Sequence, residues 1–109
     1  MELSKNYLSV YYIGLNDKDL HIQRYDNLTY IKMLRNILIE NNVVSYTYSI
    51  VNGMFKDEQE TTIKLEVLNS GLSDEAIDTI KTVFNQECIM DLTLPLYKTG
   101  WVYLDKIII

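Results

Sequence analysis

One cysteine, one proline, one alanine and one histidine in 109 residues remove several explanations before any pattern is read. The lone Cys88 has no partner for an internal disulfide and no CxxC neighbour, so a reducing cytoplasm is expected. Between helical and strand patterns, Cys88 reads as a small buried hydrophobe rather than a nucleophile. No apolar run approaches the ~20 residues of a membrane span, and no membrane association is expected. The Met1 to Asn6 start lacks the basic, apolar and small-residue segments of a signal peptide. Arginine is also scarce. Arg24 and Arg35 stand beside eight scattered lysines, and the net charge is −5, so direct binding to a nucleic-acid backbone is not expected. No GxSxG, HExxH, GxGxxG or Walker-type sequence occurs.

What is present describes one α+β domain. Apolar residues make up 48% of the chain, enough for a single core and too many for disorder. Residues 8–15 alternate, with Val10, Tyr12 and Gly14 on one face and Tyr11, Ile13 and Leu15 on the other, which predicts a first strand. Leu28, Ile31, Leu34, Ile37 and Leu38 then recur at helical spacing behind Asp26 or Asn27 as N-cap, with Asn41-Asn42 as the stop. Residues 44–50 and 61–68 alternate as two further strands. Asn52-Gly53 is a strong turn signal, but turning there would strand Lys56-Asp57-Glu58-Gln59 inside a strand. The tip is therefore placed at 56–59, with Gly53 a bulge or a point of close approach. Ser73 caps a second helix whose buried stripe is Ala76, Ile77, Ile80, Val83 and Phe84. Met90, Leu92 and Leu94 mark a fourth strand ending at Pro95, and Trp101 to Ile109 reads as a fifth, edge strand. The outward residues of the third and fourth strands read as polar, so the uncovered sheet face is expected to be partly solvated.

The β-α-β-β-α-β order with right-handed crossovers predicts a ferredoxin-like fold, two helices on one face of an antiparallel or mixed sheet. That topology brings the polar elbow Gly14-Leu15-Asn16-Asp17-Lys18-Asp19 to the same sheet edge as the central hairpin. The candidate binding surface is accordingly Asn16, Asp17, Lys18, Asp19 and His21 with Asn52, Phe55, Lys56, Glu58 and Glu60. Carboxylates and one imidazole could ligate a hard cation, but no recognised ligand spacing is present, and neither metal nor cofactor is expected. No catalytic pair is evident, because an acidic loop flanked by Lys18 and Lys56 gives no reason for pKa values to be driven apart. Nine tyrosines stand out. Tyr46 and Tyr48 read as core, while Tyr11, Tyr25, Tyr30, Tyr97 and Tyr103 with Trp101 could enrich a recognition surface, the simpler reading being half-buried rings with solvated hydroxyls. The Ile107-Ile108-Ile109 terminus must pack in cis or meet a second subunit, so a homodimer is a further expectation.

Gly14-Leu15-Asn16-Asp17-Lys18-Asp19 after a strand resembles the opening of a group of small uncharacterised proteins of Gram-positive bacteria and their phages. Thr47, five residues, Gly53, one residue and Phe55, followed by Glu60-Thr61, extend the resemblance over the first two-thirds of the chain, departing at Phe55 where tyrosine is expected. The resemblance implies a ferredoxin-like fold and a phage or mobile-element origin, and no established activity. The leading functional expectation is a non-enzymatic inhibitor of a host defence that binds a host protein in the host cytoplasm. The alternatives are a protein that binds or sequesters a small nucleotide signal, a phage structural or accessory protein, and an enzyme of undescribed type.

Overall fold

Strands form where β-branched and aromatic residues alternate, and each helix begins at a side-chain cap. In the computed structural model, which describes residues 6–96, the order is β1 (Asn6–Gly14), α1 (Asn27–Glu40), β2 (Thr47–Phe55), β3 (Glu58–Leu68), α2 (Asp74–Val83) and β4 (Met90–Leu96). The strands make one antiparallel sheet ordered β2-β3-β1-β4. The expected ferredoxin-like arrangement is therefore observed. The expected fifth strand, with Tyr97, Trp101, Tyr103 and the Ile107 to Ile109 terminus, lies outside the described residues.

Asp26 caps α1 by accepting from the Thr29 amide, and Ser73 caps α2 by accepting from the Ala76 amide. Left-handed Asn42 follows the C-cap Asn41 of α1. Both helices cover one sheet face. Tyr11, Ile13, Leu15, Ile63, Leu65 and Val67 from the sheet meet Tyr30, Leu34, Ile37 and Leu38 of α1 and Leu72, Ala76, Ile80 and Phe84 of the α2 region. An edge-to-face pair of Tyr30 and Phe84, centroids 5.1 Å apart, joins the helices. The α1 stripe thus starts at Tyr30 rather than at Leu28, which is exposed.

Several expectations are corrected. The hairpin turns on Lys56-Asp57 alone, both left-handed at φ 50° and 65°, with Phe55 opposite Glu58. Two consecutive positive φ values match the twist of the flanking strands. Gly53 is not a bulge, since it pairs one-for-one with Glu60. Pro95 lies inside β4, at the edge of the sheet formed by the described residues, where its missing donor is tolerated. The apolar residues of β4 face away from the helices: Tyr11, Ile13 and Leu15 occupy the helix-covered face, and Met90 pairs with Tyr12 on the other side. Met90, Leu92 and Leu94 are consequently exposed, so the open face is more apolar than the alternation suggested. Cys88 is exposed rather than buried, because it lies between α2 and β4 outside the helix-covered core. Tyr11 and Tyr30 are core residues, and their hydroxyls accept from the backbone amides of Leu72 (2.7 Å) and Arg24 (3.3 Å). Among the described residues no helix is long and apolar enough to cross a membrane.

Candidate functional site

The antiparallel register fixes the working edge. β1 and β2 both run opposite to β3, so the chain leaving β1 meets the hairpin end of β3. The Leu15 amide donates to the Thr61 carbonyl at 3.0 Å, and the Asn16 amide donates to Glu60 Oε2 at 2.9 Å. The Asn16 side chain adds a bond to the Gln59 carbonyl. Elbow and hairpin are neighbours, as the topology predicted.

The elbow itself is a built turn. Asp17, 2% exposed, accepts at Oδ1 from the amides of Asp19 and Leu20, both at 2.9 Å. Its Oδ2 accepts from Asn85 Nδ2 at 2.8 Å and lies 3.7 Å from Arg24 Nη1. The Asn85 bond first, then the amide bonds and Arg24, hold the Asp17 carboxyl below its usual range against the opposing effect of burial. Asn85 also reaches Asp19 Oδ2 at 2.9 Å, and the Lys18 amide donates to the Asn85 carbonyl. The elbow is thus clamped to the C-terminus of α2.

A crevice of about 480 Å³ opens on this edge, lined by Asn16, Asp17, Lys18, Asp19, His21, Phe55, Lys56, Glu58, Glu60, Gln86 and Glu87. That size suits a small molecule. His21 Nδ1 meets Glu58 at 3.1 Å across the mouth, and Lys56 Nζ holds Glu87 at 3.0 Å. Five carboxylates oppose two lysines here, a field that favours cations and repels phosphates. A second, apolar crevice shares Phe55, Glu60, Gln86 and Glu87 and continues over Tyr12, Val51, Met54, Cys88 and Met90. Among the described residues no group of three or more His, Cys, Asp or Glu side chains could hold a metal ion.

Glu60 stands where the two halves join. Its carboxyl lies directly over Gly14, in the space a Cβ there would occupy. Burial chiefly, and the charge of Glu58, push its pKa up, while the Asn16 amide pulls it down. No pattern along the chain announces this perturbed carboxyl, which depends on β1 running beside β3. Nine of the ten sequence-nominated residues line the polar crevice, and Asn52 lines the apolar half instead. Sequence reading missed Asn85, Gln86 and Glu87. The usable signal was the Asn85-Gln86 pair ending α2, a helix-stop composition that also supplies amide donors.

No family model and no curated protein matches the sequence. Solved structures do match in fold. A phage SAM lyase in complex with S-methyl-5′-thioadenosine superposes with a TM-score of 0.64 at 16% identity, covering 94% of this chain and 92% of that one. A phage SAM lyase in its apo state gives a TM-score of 0.62 at 17% identity, covering 94% and 91%. These neighbours correct the expectation of a non-enzymatic inhibitor acting through a protein partner: the similar structures are those of an enzyme, one holding a small nucleoside ligand.

Proposed function

We propose that this chain is a small-molecule enzyme, a lyase acting on a positively charged adenosine derivative of the S-adenosylmethionine type. The observation that carries the reading is the acidic crevice with a perturbed, half-buried Glu60 at its junction with an apolar groove. S-Adenosylmethionine is a nucleoside with a sulfonium and an ammonium and no phosphate. Its aromatic base suits the groove of Tyr12, Phe55 and Met90, and its cationic part suits the carboxylates. A phosphorylated nucleotide signal is disfavoured by the same field. The fold likeness supports the reading through the thioadenosine its neighbour binds.

The chemistry follows from the bond that must break. S-Methyl-5′-thioadenosine keeps the methyl and adenosyl carbons, so cleavage falls between sulfur and the γ-carbon of the amino-acid chain. Sulfur takes the bonding pair and becomes a neutral thioether. In the same step the four-carbon fragment either closes by attack of its own carboxylate on Cγ, giving a lactone, or loses a β-proton to a base, giving an alkene. Neither route consumes water. In this reading Glu60 holds the sulfonium and, on the second route, takes the proton, for which a raised pKa is suitable. Once the sulfonium charge is gone the acidic crevice holds the product less well, which favours release.

Incubating the purified protein with S-adenosylmethionine and following thioadenosine by liquid chromatography tests this. The expected result is product without added cofactor, reduced on the order of 10²- to 10⁴-fold in Glu60→Gln. Thermal stabilisation by S-adenosylmethionine with no product would make the protein a sequestering receptor. Neither product nor stabilisation at millimolar ligand would remove the reading altogether.

A further inference from the structure

The C-terminus of α2 does more than end a helix. The Gln86 amide donates to the Lys81 carbonyl and the Asn85 amide to the Thr82 carbonyl, the paired bonds of a Schellman motif, with Asn85 left-handed at φ 50°. The motif fixes the backbone direction at Gln86, whose side chain is 8% exposed and lies between both halves of the crevice. Its Nε2 donates to the Asn16 carbonyl at 2.6 Å and to the Phe84 carbonyl at 3.3 Å. On the other side of the same residue the Asn16 amide donates to Glu60 Oε2 at 2.9 Å.

We propose that Gln86 is a positioning residue that, by gripping the Asn16 carbonyl, holds the Asn16 amide against the Glu60 carboxylate. The Asn16 side chain also bonds the Gln59 carbonyl and the Asp17 amide donates to the Ile22 carbonyl, so Gln86 adds the restraint on the Asn16 carbonyl itself. The Leu15 amide anchors its start to β3 and Asp17 is tied to Asn85, but Asn16 sits between the two anchors and its carbonyl is held by Gln86. Without the grip the Asn16–Asp17 peptide keeps its bond to Ile22 but its carbonyl is unrestrained, and the Asn16 amide, the donor that favours the ionised form of Glu60, is held less firmly against the carboxylate. The other charged groups around Glu60 stay in place: Glu58 on its own strand, Asp17, Lys18, Asp19 and His21 on the elbow, and Lys56 and Glu87 opposite. The consequence for turnover rests on the lyase reading, whereas the geometric claim does not.

Carboxyl and amide NMR titration of the full chain tests it. In the native protein the Asn16 amide proton shift is expected to titrate together with the Glu60 side-chain carbon. In Gln86→Leu the Glu60 midpoint should move up and the Asn16 amide should lose that dependence, with Gln86→Met giving the same result if leucine packs poorly. With S-adenosylmethionine as substrate, kcat should fall on the order of ten- to a hundredfold with KM little changed. In a Glu60→Gln background Gln86→Leu should have no further effect on kcat. An Asn16 amide insensitive to Glu60 in the native protein, or an unmoved Glu60 midpoint in a folded Gln86 variant, would overturn the assignment. A moved midpoint in a protein that makes no thioadenosine would uphold it and remove the lyase reading instead.

Discussion

Replacing Gly14 by alanine should destabilise the native protein and yet stabilise a variant that lacks Glu60. Gly14 pairs with Thr62 in the ladder, and a Cβ there would overlap the Glu60 carboxyl. The obstruction is the far end of a flexible side chain, so Glu60 swings away rather than the strands parting. What is lost is the charge-assisted bond from the Asn16 amide, about 1.5 kcal/mol at the low end for a partly exposed carboxylate. What is gained is the lower unfolded-state entropy of alanine in a strand, about 0.5–1 kcal/mol. The net is a loss of about 0.5–1 kcal/mol. For a chain this size about 1 kcal/mol corresponds to roughly 4 °C in Tm, so Gly14→Ala should lower Tm by roughly 2–4 °C. In a Glu60→Ala background the bond is already absent, and Gly14→Ala should raise Tm by roughly 2–4 °C. Scanning calorimetry of the four proteins reads both steps. The same sign in both backgrounds would refute the placement of the Glu60 carboxyl over Gly14.

Three further outcomes follow from the same structure. Tyr11→Phe leaves the buried Leu72 amide without its acceptor and should cost about 1–3 kcal/mol in urea unfolding, a far larger effect than Tyr48→Phe on the exposed edge. Asp57→Gly relieves a left-handed residue in the two-residue turn and should add about 0.5–1 kcal/mol, whereas a turn at Asn52-Gly53 would make it neutral. Asp17 and Glu60 should impose opposite pH slopes. The Asp17 pKa is depressed, so its stabilisation is present above about 3.8 and fades as pH falls through the lower folded value; the gap between native and Asp17→Asn should close in acid. The Glu60 pKa is raised, so the folded state binds its proton more tightly, and native stability should fall relative to Glu60→Gln as pH rises above about 4.5. Parallel curves in a urea-midpoint series would contradict both assignments.

Local chemistry made most of the fold readable. Asp26 and Ser73 announce their helices because a short oxygen-bearing side chain satisfies amides three residues on, a relation contained within one turn of sequence. Alternation in residues 61–68 announces a strand because one face is buried, whereas residues 8–15 are β-rich and buried on both faces, Val10 on the face opposite Tyr11 and Ile13. The hairpin between the second and third strands is placed at 56–59 by sequence alone, and narrowing the turn to Lys56-Asp57 needed the register that pairs Phe55 with Glu58. The candidate surface was legible for the same reason: once the order of elements is known, chain direction alone brings elbow and hairpin to one edge.

The sequence by itself therefore determined the element types, their order and the edge where the elbow meets the hairpin. Only the tertiary structure decided which face the β4 side chains take, that Asn85 and Gln86 clamp the elbow from 68 and 70 residues away, and that Glu60 lies half-buried over a glycine. The physical reason is one of range. Caps and alternation are set by neighbours along the chain, whereas register, burial and the pKa of a carboxyl are set by groups that only folding brings within a hydrogen bond of one another.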